Sequence, residues 1–166
     1  MKSITCLLLF TVAILAAGTV HAASKPPVSE PGVLHITVVE SVTALSASAF
    51  TDFDRMDLAF EYVAKKRRWP VKVVSEKLVS NTPDYNPELR VVLQAVRLEM
   101  GDFVFRGWAT LMVDGKKHDY GIVRFNYTPR MNENMDDAMD KVFRGAATAI
   151  AEKVEPVLFP QLAPRK

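Results

Sequence analysis

The sequence is poor in the residue types on which most site chemistry depends. Its one cysteine, Cys6, lies inside the apolar run Ile4 to Ala17, so an intramolecular disulfide is impossible and a cysteine metal centre has no ligand set. Seven glycines nowhere take the spacing of a phosphate-cradling loop, and neither a Gly-x-Ser-x-Gly turn nor a His-Glu-x-x-His helix is present. Of three histidines, only His35 and His118 lie beyond the N-terminal apolar region, and neither has a second histidine close by in sequence to form a metal pair. A surplus of one charge is also missing. The 21 Lys and Arg nearly cancel 19 Asp and Glu to leave +2, far from the basic field that nucleic acid or an anionic membrane would require.

What is present is an ordinary core-forming composition, 49% apolar and 24% charged over 166 residues, which suits one domain. Lys2, the short apolar run and the small-residue exit Gly18-Thr19-Val20-His21-Ala22-Ala23 have the order of a secretory signal peptide. The run is too short to span a membrane comfortably. Cleavage after Ala22 is expected, giving a signal peptide over residues 1–22 and a periplasmic or secreted product. Cys6 would leave with the signal, so neither a lipid anchor nor a transmembrane anchor is expected on the mature chain. Residues 23–32, rich in proline, read as a flexible leader, residues 33–155 as the domain, and residues 156–166 as a C-terminal tail.

The β-branched run Val33 to Val42 predicts a first strand. Thr51 or Asp52 then caps a helix whose apolar positions Phe53, Met56, Phe60 and Val63 recur at helical spacing and which stops at Trp69-Pro70. Val71 to Val79 predicts a second strand. Leu89 to Met100, Phe103 to Val113 and Lys117 to Tyr127 read as an antiparallel meander turned at Gly101-Asp102 and Asp114-Gly115. A long helix follows from about Asn134 to Glu155, ended by Pro156. The expected fold is an α+β two-layer sandwich in the order β-α-β-β-β-β-α or close to it, its sheet mainly antiparallel and both helices on one face.

A two-residue turn at Gly101-Asp102 would set Val92, Val96, Leu98, Phe103, Phe105 and Leu111 toward the helices. It would leave Val91, Leu93, Val104, Trp108 and Met112 on the opposite face, where a half-solvated sheet carries polar residues. If Asp114-Gly115 also turns in two residues, Val123, Phe125 and Tyr127 join that second face; a three-residue loop would send them to the helices. The second face then needs a cover: the leader, the tail, a second sheet, a protein partner or second copy, or a small apolar ligand.

The cluster Lys65, Lys66, Arg67, Arg68 and Trp69 offsets the negative end of a helix dipole and is alternatively a contact for phosphate or carboxylate groups. Asp52, Asp54, Asp57 and Glu61 suit a helix start, as do Asn132 to Asp137, which lack the glycine and glutamate of a calcium loop. No catalytic, cofactor or metal residues are assigned. The sequence favours an exported, non-enzymatic accessory protein that binds an envelope protein or itself. The alternatives are a carrier or sensor of a small apolar or anionic ligand and a small hydrolase built from dispersed residues such as His118 with Asp119 or Glu99.

Overall fold

A computed structural model describes residues 28–40, 52–78 and 84–160. Residues 1–27, 41–51, 79–83 and 161–166, which include the expected signal peptide, the first half of the expected leader and the last six residues of the expected tail, lie outside this described part. The elements run β1 (Val33–Glu40), α1 (Asp52–Arg67), β2 (Lys72–Lys77), β3 (Glu88–Glu99), β4 (Asp102–Val113), β5 (Lys116–Tyr127) and α2 (Met135–Leu158). They form one five-stranded sheet in the order β2-β1-β3-β4-β5, with both helices packed on one face.

The sheet is α+β in class and mixed in direction. β1 pairs in parallel with β2 and also with β3, while β3, β4 and β5 are antiparallel. Strand β1 therefore sits between two parallel neighbours, and the chain must pass it to go from β2 to β3. The residues of that connection just before β3 lie on the face away from the helices, where Tyr85 stacks flat on His35 at 3.7 Å. Val28, expected to be free, is tied to the same segment: its N–H donates to Asp84 and its carbonyl accepts from Asn86. This end of the proposed leader is thus part of the fold.

The core fills the space between sheet and helices. Leu34, Ile36 and Val38 of β1 alternate inward, as a half-covered strand requires. They meet Met56, Phe60 and Val63 of α1, and Val142, Phe143 and Ile150 of α2 complete the layer. The helix does not stop at Pro156. Proline sits inside the last turn, where its missing N–H removes one ladder bond, and the next residues continue to Phe159, whose ring is buried against Trp69. The start of the supposed tail is core.

Two bulges redistribute the meander. The first turn is Met100-Gly101, both with positive φ, as a two-residue type I′ hairpin demands, so Glu99 opposes Asp102. Between Leu93 and Ala95 the pairing slips by one residue, because Gln94 is extra. Past the slip the face alternation inverts, and Val91 and Leu93 point into the core, fully buried. Their expected place on the second face is corrected by that one residue. Asp114-Gly115 is indeed a two-residue turn, with Val113 opposite Lys116. A second slip, where Tyr120 intervenes and Gly121 takes φ +67, nevertheless returns Val123 to the core.

Gly145 of α2 marks a close approach to β5: a Cβ there would lie 2.1 Å from the Phe125 ring. In an open helix, Gly→Ala would gain about 1 kcal/mol. Here overpacking against three ring atoms outweighs that gain, and Gly145→Ala is expected to destabilise the fold by about 1–2 kcal/mol, checked by urea denaturation. A more stable variant would mean that the ring swings aside freely.

Candidate functional site

The face away from the helices divides into three zones. Near β1 and β2 it is closed by residues 28–32 and 84–87. There His35 is 4% exposed, and both its ring nitrogens lack a hydrogen-bond partner among the described residues. The nearest charge is Glu30, 3.8 Å from Nε2. Tyr85 donates its hydroxyl to Glu76 at 2.8 Å, and burial together with that bond pushes the phenol up to about 12. Glu88, almost wholly buried, accepts from Arg90 at 3.0 Å. The sequence offered no sign of this cluster, since its members come from four separate segments.

The middle zone is apolar. Val39, Val92, Trp108 and Ile122 stand opposite one another in consecutive strands. Strands spaced about 4.8 Å apart make this line roughly 14 Å long. Ile122 is 59% exposed and the other three are half-buried. Met112, half-buried, lies on the same face two rows from Thr110 and four from Trp108, and Val104, also on this face, is buried.

The outer zone is basic. Arg97, Arg106 and Arg124 converge on Glu99, with nitrogen-to-oxygen distances of 2.5, 3.8 and 3.3 Å. The bond from Arg97, aided by the other two guanidiniums, holds the Glu99 carboxyl below its ordinary range. Asp102 at the same end is engaged by the Thr128 hydroxyl at 2.7 Å. A shallow groove of about 470 Å³ runs here between Glu99, Met100, Asp102, Val104, Arg124 and Asn126. Nothing in the sequence singles out these arginines, which alternate with apolar residues along their strands; their convergence depends on the strand register.

The basic helix end serves the fold. Arg67 donates to Glu155 at 2.5 and 2.7 Å, and the Trp69 indole donates to the same carboxylate at 2.6 Å. Trp69 is 8% exposed, so it is not available to stack on or insert into a partner. Lys65, Lys66 and Arg68 remain exposed. Of the acidic residues at the start of α1, Asp52 is buried, and burial, reinforced by Glu40, raises its carboxyl above the usual range. The N–H of Phe53 donates to Glu40 of β1 at 3.1 Å, and Lys77 pairs with the same carboxylate. Asn134 caps α2 by accepting from the Asp136 N–H, and Arg55, 4% exposed, joins the helices through Asp136 and Asp140 at 2.6 and 2.5 Å.

Glu133, just before α2, pairs with Lys141, accepts from the Arg130 N–H at 2.8 Å and from the Tyr127 hydroxyl at 2.8 Å. The Lys141 bond first, and the backbone bond next, lower its carboxyl to about 2. A carboxylate depressed by folding adds stability that is complete above its unfolded value near 4.3 and disappears as pH falls through the folded value. The stability of the native protein is therefore expected to drop between about pH 5 and pH 2, and the Glu133→Gln variant should show a shallower drop over that window when unfolding is followed by circular dichroism. Parallel curves would exclude this linkage.

His35 and His118 do not converge. His35 belongs to β1 on the open face, and His118 in β5 stands opposite the core residue Leu111, with β3 and β4 between them. Glu99 lies at the far end of the meander from His118. Among the described residues no group of three His, Cys, Asp or Glu side chains is arranged to hold a metal ion, and no helix is long and apolar enough to cross a membrane.

No known family profile matches the chain, and no curated protein matches it. Among solved structures it is similar to an uncharacterised protein at 16% identity, covering 75% of this chain and 91% of that one with a TM-score of 0.49. It also resembles the PelC dodecamer subunit of Paraburkholderia phytofirmans at 7% identity, covering 76% and 92% with a TM-score of 0.41. A minor lipoprotein of Acinetobacter baumannii is a third likeness, at 9% identity, covering 76% and 94% with a TM-score of 0.36. Likenesses this remote assign the chain to no family and carry no statement of its activity.

Proposed function

We propose that the protein is an exported, non-enzymatic accessory protein of the cell envelope that binds another protein through its open sheet face. One observation carries this reading: Val39, Val92, Trp108 and Ile122 form an apolar line across four paired strands, and both helices lie on the opposite side. Apolar residues aligned on a sheet surface are the usual mark of a contact site, and an indole beside aliphatic side chains suits an interface centre. Val91 and Leu93 belong to the core and drop out of the surface first expected; Trp108 and Met112 stay within it, joined by Val39, Ile122 and Val92, which the turn alone would set toward the helices. Buried Val104 supports them from below the groove.

Native mass spectrometry of the protein purified gently from its own host, beside a Trp108→Asp/Ile122→Asp variant, tests this. The unaltered protein is expected to carry a protein partner or a second copy. The variant should lose at least nine-tenths of that complex while keeping its far-ultraviolet circular dichroism spectrum. A bare monomer, or a complex that survives both substitutions, would refute the reading; an added mass of a few hundred daltons would replace it with a ligand carrier.

A further inference from the structure

Resting on the protein-binding reading above, we propose that the segment received by the open face is acidic, its carboxylates seated on Arg97, Arg106 and Arg124 beside an apolar residue on Trp108 and Ile122. The charge count in the outer zone of this face is unequal. Three guanidiniums share Glu99, and the only other carboxylate lining the groove, Asp102, already accepts from Thr128. The three side chains keep 55%, 38% and 49% of their surface exposed, so positive charge remains open to a partner.

The geometry matches an extended peptide. Arg106 and Arg124 oppose each other two residues along from the Trp108 and Ile122 pair, a separation of about 7 Å along the strands. A partner strand presents side chains on one face at that same two-residue spacing, so one residue can sit on the indole while its neighbour on that face reaches the arginines. The planar guanidinium fork favours carboxylates through paired N–H bonds. Glu99 acts as a resident occupant of the site, which an incoming carboxylate would displace or join.

The test is selection of a random twelve-residue peptide library, displayed on phage, against the immobilised protein and against Arg106→Gln/Arg124→Gln and Trp108→Asp variants. The expected result is enrichment of peptides carrying Asp or Glu two residues from an aromatic or aliphatic residue. Their synthetic forms should bind at least tenfold more weakly to the arginine variant, and more weakly as salt is raised. Neutral apolar peptides that depend on Trp108 but not on the arginines would overturn this inference and leave the protein-binding reading standing. No enrichment at all would overturn both. Sedimentation with phosphatidylglycerol vesicles, abolished in the arginine variant while the library yields nothing, would assign the trio to a lipid surface instead.

Discussion

Replacing Phe105 by alanine is expected to cost about 3–5 kcal/mol, the range for deleting a fully enclosed aromatic ring. Phe105 is inaccessible to solvent and meets Phe143 edge to face at 5.8 Å, which adds to its simple area burial. It comes from within β4 and touches the helix layer, so the gap left by the ring would be walled by strand and helix. The urea midpoint should fall sharply with the slope unchanged, since the surface exposed on unfolding is nearly the same. A loss below about 1 kcal/mol would mean that the site relaxes and the ring is not a keystone. Gly107 provides an internal control. A Cβ there would come within 3.0 Å of the Phe105 ring and of the Val92 carbonyl oxygen, so the cost of Gly107→Ala should shrink when Phe105 is already alanine, as neighbouring sites fail to add.

The second large effect belongs to Glu155. One carboxylate takes two bonds from Arg67 and one from the Trp69 indole, clasping the C-terminal ends of α1 and α2. Glu155→Ala removes both acceptor oxygens with their three bonds and strands a buried indole N–H, with an expected loss of about 2–4 kcal/mol. Glu155→Gln keeps an oxygen acceptor for one donor and gives up the charge, so it should lose clearly less. Thermal unfolding of the pair checks the order; equal losses would mean that packing of the side chain, and not its bonds, holds the junction. The Arg67 bond also depresses the Glu155 carboxyl. That share of stability is complete above the unfolded value near 4.3 and is lost as pH falls toward the folded one.

The order of elements was legible because each announced itself locally. Thr37, Val38 and Val39 are β-branched, Phe60 and Val63 recur at helical spacing, and Asp114-Gly115 has the composition of a tight turn. Face assignment was not legible, because it depends on counting residues along paired strands. Gln94 and Tyr120 look like ordinary strand residues, yet each shifts everything beyond it to the other side of the sheet. Only Gly121, with its positive φ, left a trace of the second slip. The fate of Trp69 was hidden for another reason: its partner Glu155 lies in the last helix, and a cationic helix end explains itself through the dipole without any partner. The arginine trio is of the same kind: the meander was legible, but which of its residues face one another depends on the register of its strands.

The place of β1 between β2 and β3 has a consequence for the order in which the chain can organise itself. Strands β3, β4 and β5 are joined by two-residue turns and can zip together from neighbouring residues, whereas His35 meets Glu88 only after the first helix, β2 and a long connection have been laid down. Closing such a loop costs entropy before any contact repays it. A chain delivered N-terminus first, whether from a ribosome or through a translocation pore, thus presents β1 before either neighbour, and one of its edges stays unpaired until β3 follows. The strand that ends between two parallel neighbours arrives ahead of both and is enclosed only when the later of them, β3, is made.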